Sequence, residues 1–246
     1  MSLVAPASAR SRAIIIGSSG SIGAALQRGL TTKGFDVTGL SRPSNSGMAG
    51  MRGGEPAIDI TSETSIEEAA GLLRDKAPYS TILITSGLLH DSSVSPEKAL
   101  RELDQQSLMR LFAVNAVGPA LVAKHFVPLL PKHGRCIFAA LSARVGSIGD
   151  NRLGGWYGYR ASKAALNMYI KTLAIELART RPEAICVALH PGTVDTDLSK
   201  PFQKAVPSNR LFSPDQSAAH LLGVLDQLTP DQSGRCFAWD GAEINP

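Results

Sequence analysis

Cysteine is scarce in this chain of 246 residues, and the three cysteines present cannot form a disulfide framework. Cys136, Cys186 and Cys236 lie at separations that fit neither a metal site nor a Cys-x-x-Cys redox pair. We therefore expect three buried thiols in strands and no metal site. The five histidines are scattered, and we expect His90 on the surface, with the mouth of a substrate site as the alternative.

Aromatic residues are also few, at 5% of the chain, and no basic cluster is interleaved with them as platforms for single-stranded nucleic acid require. The net charge of +4 suits an anionic cofactor equally well, so we expect no nucleic-acid partner. No run approaches the roughly 20 apolar residues that span a bilayer, so we expect no membrane segment. Residues 1–12 lack the apolar core of a secretory signal, which predicts a flexible tail and a cytoplasmic protein.

Short apolar strands alternate with helical stretches along the rest of the chain. The strands are predicted at 13–16, 36–41, 81–85, 135–141, 184–190 and 234–238, and the helices at 62–76, 105–130, 157–180 and 214–228. This repeat predicts an α/β fold, a single-domain Rossmann-type doubly wound parallel sheet flanked by helices, over residues 13–246. The segment 194–212 is long for a connection and predicts a lid over a site.

The first strand runs directly into a glycine-rich turn, Gly17-Ser18-Ser19-Gly20-Ser21-Ile22-Gly23, at the start of a helix. Glycines let the backbone approach a pyrophosphate, and the positive end of a helix favours phosphate. The spacing differs from the usual Gly-x-Gly-x-x-Gly fingerprint, and a plain strand-to-helix connection is the alternative.

The second strand ends in Ser41-Arg42, where a dinucleotide-binding fold usually carries an acid for the ribose hydroxyls. An arginine matches a 2′-phosphate, which favours NADP(H) over NAD(H), although a solvated loop arginine is the alternative. Two roles are predicted for Asp59: it accepts a hydrogen bond from the adenine amino group, or it caps the helix that starts near Ser62.

Tyr159 and Lys163 are four residues apart in a predicted helix, so they lie on one face of it. A nearby ammonium stabilises a phenolate, so we expect Lys163 to lower the Tyr159 pKa and make the phenol a general acid or base. Tyr157 has no such partner, because Ala161 stands four residues after it.

With these motifs the chain resembles the short-chain dehydrogenase/reductase family, from about residue 13 to the C-terminus. Its glycine turn, the segment His190-Pro191-Gly192-Thr193-Val194-Asp195-Thr196-Asp197 and the ending Gly234-Arg235-Cys236-Phe237-Ala238-Trp239-Asp240-Gly241 resemble the C-factor-like and sniffer-like carbonyl reductases most. Two motifs depart from the family pattern, because Ile16 and Ser21 replace its threonine and glycine, and Thr85-Ser86-Gly87 replaces Asn-Asn-Ala-Gly.

The resemblance implies a catalytic set of Asn115, Ser142, Tyr159 and Lys163. Ser142 follows a predicted central strand, but it precedes Tyr159 by 17 residues, more than is usual in the family, and Ser147, 12 residues before, stays a competitor. In the family the asparagine holds a water for proton relay, while for this chain a satisfied core amide is the alternative. The implied NADP(H) site comprises Gly17, Ser19, Gly20, Ser21, Ile22, Gly23, Ser41, Arg42, Asp59, Ser86, Gly87, Tyr159, Lys163, Pro191, Gly192 and Thr193.

The expected activity is hydride transfer between the nicotinamide and a small carbonyl or alcohol substrate, with Tyr159 exchanging the proton. Leu88, Leu89 and Trp156, with the lid, predict an apolar pocket, unless these residues only pack the lid onto the core. The family implies a homodimer or homotetramer through the helices of Asn115 and Tyr159, with Ala116, Ala120, Ala165, Met168 and Leu173 on their outer faces. The alternatives are an NADP-binding regulator and a signalling protein with secondary turnover.

Overall fold

The computed structural model describes residues 10–42, 51–52, 55–205 and 207–246. Most of the predicted N-terminal tail, residues 1–9, and residue 206 of the predicted lid lie outside the described residues. The boundary of the tail at residue 12 is wrong, because Arg12 begins the first strand. Its backbone carbonyl accepts hydrogen bonds from Ser80, which joins it to the sheet.

Seven strands form one sheet: β1 (Arg12–Ile16), β2 (Asp36–Leu40), β3 (Thr81–Ile84), β4 (Cys136–Leu141), β5 (Ala184–His190), β6 (Cys236–Ala238) and β7 (Glu243–Ile244). Their order is β7-β6-β5-β4-β3-β1-β2, and every pair is parallel except β6 with β7. This arrangement confirms the doubly wound parallel sheet. The antiparallel edge strand β7 was not predicted.

In the described part of the chain, six α-helices cover the two faces of the sheet: α1 (Ser21–Thr32), α2 (Glu63–Leu73), α3 (Gln105–Phe112), α4 (Gly118–Phe126), α5 (Tyr157–Thr180) and α6 (Pro214–Gln227). One core layer joins α2, α4 and α5 to the sheet through Ile66, Phe126 and Leu166, and the other joins α1 and α6 through Leu26 and Leu221. The strands are buried on both faces, as a parallel sheet between helices requires.

Further short elements complete the fold. Met51–Arg52 pairs with Glu55–Pro56, and Thr193–Val194 pairs with Leu211–Phe212, while Lys200–Ala205 and Ser208–Arg210 are 3-10 turns. Other 3-10 turns lie at Arg74–Lys76, Leu100–Glu102, Val127–Leu129, Arg144–Gly146 and Pro230–Gln232. The three cysteines are buried free thiols, as predicted.

A π-helical segment, Ala113–Val117, joins α3 to α4. The continuous helical run Gln105–Leu129 has a mean hydropathy of 1.3 over its most apolar window, enough by length and composition to cross a membrane, so the expectation that no such stretch exists is wrong. Leu111, Val122 and Phe126 in this run are fully buried against the rest of the molecule. Of the residues in this window, 44% are buried inside the molecule.

Candidate active site

The carboxyl ends of five neighbouring parallel strands place the predicted site residues along one edge of the sheet. Gly17 follows β1, Ser41 follows β2, Thr85 follows β3, Ser142 follows β4 and Pro191 follows β5. Open α/β sheets bind ligands outside this edge. The strand order therefore brings together residues that are up to 174 positions apart in the sequence.

The glycine turn is closely packed, and its geometry requires two of its glycines. Gly17 has a φ of 93°, and its N–H donates to the carbonyl of Leu40 at 2.7 Å. A Cβ on Gly23 would stand 2.2 Å from the Gly17 oxygen. Gly20 precedes α1 and caps it with no side chain, so the first N–H groups of α1 are available to an anion. Ser19 and Ser21 are exposed beside them, and Ile22 is half-buried.

Thr85 supports this turn, a role that the sequence reasoning missed. Its hydroxyl lies within hydrogen-bonding distance of the carbonyls of Ile16 (3.0 Å) and Gly17 (3.1 Å). Its backbone N–H also donates to Ile16. Thr85 belongs to Thr85-Ser86-Gly87, which departs from the family pattern, and its side chain connects the end of β3 to the glycine turn.

Ser86 and Gly87 continue from the phosphate turn to the reaction centre. A Cβ on Gly17 would stand 2.8 Å from the Ser86 nitrogen, which shows how near the two turns are. A Cβ on Gly87 would lie 3.6 Å from Lys163 Nζ and 3.7 Å from Asn115 Oδ1. Gly87 is exposed, so the backbone there is open to a ligand.

Arg42 lies just beyond β2 with an exposed side chain. Ser41 is buried and bridges to Ala57, so the chain leaving β2 is fixed up to the arginine. Asp59 Oδ1 accepts hydrogen bonds from the Thr61 N–H (2.9 Å) and hydroxyl (2.7 Å) in the turn before α2. Ser62 caps α2, so Asp59 shapes the turn instead of capping, and its adenine contact stays a prediction.

Tyr159 and Lys163 lie on the buried face of α5, and 8% of Tyr159 and 3% of Lys163 are exposed. Lys163 Nζ lies 5.9 Å from the centroid of the Tyr159 ring and donates to the Leu141 carbonyl at 2.8 Å. Within the described part of the chain, the Tyr159 hydroxyl has no hydrogen-bond partner. Tyr157 is 41% exposed, so of these two tyrosines Tyr159 is the one that faces the site.

The expectation that Lys163 lowers the Tyr159 pKa is wrong for this structure. Burial raises the pKa of Tyr159 to about 12, and burial lowers the pKa of Lys163 to about 8. Both shifts have the same cause, since a site screened from water disfavours the charged form of each group. At neutral pH the phenol is fully protonated, which suits a proton donor.

Asn115 is fully buried in the π-helical segment, and its side-chain amide is satisfied. Oδ1 accepts from the Leu88 N–H at 2.8 Å, and Nδ2 donates to the Leu88 carbonyl at 2.7 Å and to Ser162 Oγ at 3.1 Å. The alternative of a satisfied core amide therefore describes the side chain. Asn115 joins the loop after β3 to α5, and its role in a water relay stays a prediction.

Ser142 is buried behind the end of β4, where its hydroxyl donates to Asn167 Oδ1 at 2.7 Å. Asn167 lies one helical turn beyond Lys163 and two turns beyond Tyr159, a spacing that could have identified it in the sequence. Ser147 is also buried, and its Oγ accepts from the Asp150 N–H at 3.1 Å within its own loop. The residues of this stretch that pack against the cluster containing Tyr159 are Ala143 and Val145.

Pro191, Gly192 and Thr193 leave the carboxyl end of β5 in a fixed path. Gly192 has a φ of 77°, and a Cβ there would come 2.7 Å from the Phe212 ring. The Pro191 carbonyl accepts from Ser217 Oγ at 2.9 Å. Just before them, burial lowers the pKa of His190 to about 4, so this histidine is neutral and adds no charge to the loop.

An apolar cluster lies beside Tyr159, where a pocket was predicted. It contains Leu88, Leu89, Val94, Leu111, Ala143, Val145, Trp156 and Phe202. The Phe202 ring, from the segment 194–212, lies 4.9 Å from the Trp156 ring and 5.7 Å from His90. His90 Nε2 lies 3.0 Å from the Leu198 carbonyl, so His90 contacts this segment.

Among the described residues, no group of three histidine, cysteine, aspartate or glutamate side chains is placed to hold a metal ion. The site consists of the glycine turn, a buried tyrosine whose hydroxyl has no partner among the described residues, a neighbouring lysine and an apolar wall.

Two curated bacterial relatives share a large part of this sequence. The 1-hydroxy-2-glutathionyl-2-methyl-3-butene dehydrogenase of Rhodococcus sp. (strain AD45) is 32% identical over 233 residues, 94% of this chain and 97% of the relative. C-signal of Myxococcus xanthus is 39% identical over 147 residues, 59% of this chain and 82% of the relative. The second match supports the C-factor-like resemblance.

A solved structure has the same fold at lower identity. The NADPH-bound carbonyl reductase from chicken fatty liver superposes with a TM-score of 0.81 at 22% identity, covering 97% of this chain and 100% of that one. A family model described as short chain dehydrogenase matches residues 11–207. The chain belongs to the short-chain dehydrogenase/reductase family of oxidoreductases.

Proposed function

We propose that the protein is an NADP(H)-dependent oxidoreductase that interconverts a carbonyl and an alcohol, with Tyr159 as the general acid and base. The observation that carries the proposal is the buried Tyr159, whose hydroxyl has no hydrogen-bond partner among the described residues and whose ring lies above Lys163. Binding a nucleotide requires no such phenol, whereas protonating a substrate oxygen does.

The residues of this edge fit a dinucleotide. The uncapped start of α1 and the turn from Gly17 to Gly23 suit the pyrophosphate, while Arg42 offers the 2′-phosphate a charged fork. The exposed Gly87 and the loop 191–193 would lie along the nicotinamide half. NADPH in the chicken carbonyl reductase supports this choice of cofactor.

The nicotinamide supplies the hydride when bound. Tyr159 donates its proton to the substrate oxygen as negative charge develops there, and its raised pKa keeps that proton in place until then. Lys163 would bind the ribose and stabilise the phenolate that is left. Ser142 is proposed to orient the substrate oxygen, which requires its hydroxyl to turn from Asn167. Asn115 would hold the relay water.

The apolar cluster favours an uncharged substrate. Leu88, Trp156 and Phe202 supply carbon and ring surfaces beside Tyr159. The Rhodococcus relative is named for a hydroxy methylbutene that also carries a glutathionyl group, so its name agrees with an apolar wall at the reacting carbon and not with a wholly uncharged substrate. We propose that segment 194–212 acts as a lid over this substrate.

A second candidate function is a signalling role with secondary turnover. It rests on the 39% identity to C-signal over 147 residues. The two candidates differ in one measurable property, because a signalling protein that only binds NADP(H) does not need the Tyr159 hydroxyl.

Isothermal titration of NADPH and NADH tests the cofactor assignment. We expect NADPH to bind more tightly by about 1.5–3 kcal/mol, since the contact from Arg42 is charge-assisted. Arg42→Ala should remove most of this difference and leave the NADH affinity unchanged. Equal affinities for the two cofactors, or an Arg42→Ala variant with unchanged NADPH affinity, would exclude the arginine from this role.

A further inference from the structure

Trp156 has an unusual backbone conformation directly before α5. Its φ of 53° and ψ of 42° are left-handed, and it is the one residue other than glycine with a positive φ in the described ranges. Left-handed backbone is strained for a bulky side chain and persists only where the surroundings hold it. Such strain concentrates at functional sites, so the groups that hold Trp156 are of interest.

Glu97 bonds to the chain on both sides of this strained residue. Its backbone carbonyl accepts from the Trp156 N–H at 2.5 Å, and its Oε2 accepts from the Gly158 N–H at 3.2 Å. The Trp156 side chain gives α5 no capping hydrogen bond. Glu97, 59 residues earlier in the sequence than Trp156, therefore supplies the acceptor that a capping residue normally provides.

The carboxylate of Glu97 is buried at some cost. Only 3% of Glu97 is exposed, and its Oε1 is buried without a hydrogen-bond partner in the described part of the chain. A Cβ on Gly158 would stand 2.7 Å from Leu111 Cδ1 and 2.9 Å from this Oε1, so glycine is needed for the carboxylate to reach the backbone. A serine at position 156 would cap α5 without burying a carboxyl group. Capping alone therefore does not explain the arrangement.

The position of the Trp156 ring supplies the missing reason. The indole stands edge-on to Tyr159, with 6.2 Å between ring centroids, and to Phe202 at 4.9 Å. Through this ring, the residue before α5 contacts the segment 194–212. A right-handed backbone at this position would send the ring elsewhere and leave Tyr159 open on that side.

We propose that Glu97 is a positioning residue that holds Trp156 left-handed and so fixes the aromatic wall between Tyr159 and Phe202. Its two hydrogen bonds secure the start of α5, and Tyr159 follows Gly158 directly. The consequence for activity rests on the proposed function of Tyr159, whereas the hydrogen bonds themselves do not.

The test compares Glu97→Ala and Glu97→Gln with Glu102→Gln. Glu102 is a matched control, because its exposed carboxylate also accepts a backbone N–H, that of Lys98 at 2.7 Å, without touching α5. Two readouts are needed: hydrogen exchange at the amides of Trp156 and Gly158, and kcat and KM for an apolar ketone, normalised to the number of NADPH sites titrated.

Glu97→Ala removes the acceptor of the Gly158 N–H and keeps the backbone carbonyl that accepts from Trp156, so we expect faster exchange at Gly158 first and, as the start of α5 loosens, at Trp156. Normalised kcat should fall by about tenfold or more, since small displacements at a reaction centre are costly. Glu97→Gln should retain most of both properties, because its amide oxygen can accept the same hydrogen bond. Glu102→Gln should match the wild type. Because kcat is normalised to the titrated NADPH sites, a fall in its value is not caused by a smaller amount of folded protein.

Wild-type normalised kcat in Glu97→Ala would overturn the proposal, even if thermal stability falls. Fast exchange of both amides in the wild-type protein would overturn it as well. If Glu97→Ala does not fold, Glu97→Asp replaces it, because aspartate keeps the carboxyl group but is one methylene shorter. It should show the same faster exchange and the same fall in normalised kcat, and a wild-type normalised kcat would overturn the proposal here too. Absence of turnover in the wild type counts against the proposed function, and exchange alone then decides whether Glu97 holds Trp156.

Discussion

At the scale of single residues, Tyr159 and Lys163 share a buried environment that opposes charge on both. The lysine ammonium lies next to a carbonyl oxygen, that of Leu141, and has no carboxylate partner among the described residues. This differs from a simple pair in which the ammonium activates the phenol. A charge that stabilises the phenolate also lowers the pKa of the phenol, so the raised pKa of Tyr159 means that burial outweighs any such effect in this structure.

The shifted pKa of Lys163 predicts a pH dependence of stability for the cofactor-free protein. Because burial lowers the pKa of Lys163 from 10.5 to about 8, the unfolded chain binds more protons than the native one between these values. The free energy of unfolding attributable to Lys163 therefore rises with pH across that window, by about 1–3 kcal/mol. Tyr159 acts oppositely above pH 10, since its native pKa is raised.

Urea unfolding at pH 7.5, 8.5 and 9.5 measures this effect when wild type is compared with Lys163→Met, which keeps the length but does not titrate. The difference between the two proteins should move in favour of the wild type as pH rises. A constant difference across the three pH values would show that Lys163 is not held in an environment that disfavours its charge.

Single residues also show what the sequence could predict. The spacing of Tyr159 and Lys163 predicted that both lie on one face of a helix, and the structure has both on the buried face of α5. Asn115 was recognised as a polar residue in an apolar helix, but its partner Leu88 is 27 positions away and has no sequence signal. Glu97 could not be recognised either, because its partners are the backbone N–H groups of Trp156 and Gly158, and a backbone group leaves no pattern in the sequence.

At the scale of elements, the glycine turn depends on how closely α1 approaches it. Gly23→Ala would place a Cβ 2.2 Å from the Gly17 oxygen and 2.7 Å from Thr85 Oγ1, so the turn or the helix must shift. We expect this variant to lose about 1–3 kcal/mol of stability and to bind NADPH more weakly.

Gly71→Ala is the matched control, because a Cβ at this α2 position meets no heavy atom within 4 Å. It should gain about 0.5–1 kcal/mol, as a helical glycine replaced by alanine does, and keep its NADPH affinity. Thermal unfolding with and without NADPH compares the two variants. Unaltered cofactor affinity in Gly23→Ala would remove the turn from the phosphate site.

Element boundaries followed from the sequence where a periodic pattern met a clear stop. The predicted helix 157–180 coincides with α5, and the predicted strand 184–190 coincides with β5. The helix predicted at 105–130 is interrupted by a π-helical segment, which side-chain periodicity does not reveal. The strand β7 has two residues, too few for any alternation to appear.

At the scale of the whole molecule, the expected homodimer or homotetramer stays a prediction. The proposed outer faces need one correction, because Ala116 is 1% exposed and belongs to the core, and Leu173 packs against the core as well. Met168 is 65% exposed on α5, with Tyr169 at 46% beside it. Apolar side chains exposed on one long helix are consistent with a two-fold interface there.

Light scattering at micromolar concentration should give a dimer or a tetramer for the wild type. Met168→Glu places a charge in the predicted interface and should shift the protein towards the monomer. Leu72→Glu, at a residue that is 59% exposed on α2, is the control and should leave the assembly unchanged. A monomeric wild type, or equal effects of the two substitutions, would contradict an interface at α5.

The most direct test of the central claim is carbonyl-dependent oxidation of NADPH by the wild type, Tyr159→Phe and Tyr157→Phe, followed by absorbance across a panel of apolar aldehydes and ketones. Tyr159→Phe keeps the ring but removes the proton donor, so turnover should fall by about 10²–10⁴-fold while NADPH affinity is preserved. Tyr157, 41% exposed and outside the site, should tolerate the same change. Near wild-type turnover in Tyr159→Phe would contradict the account.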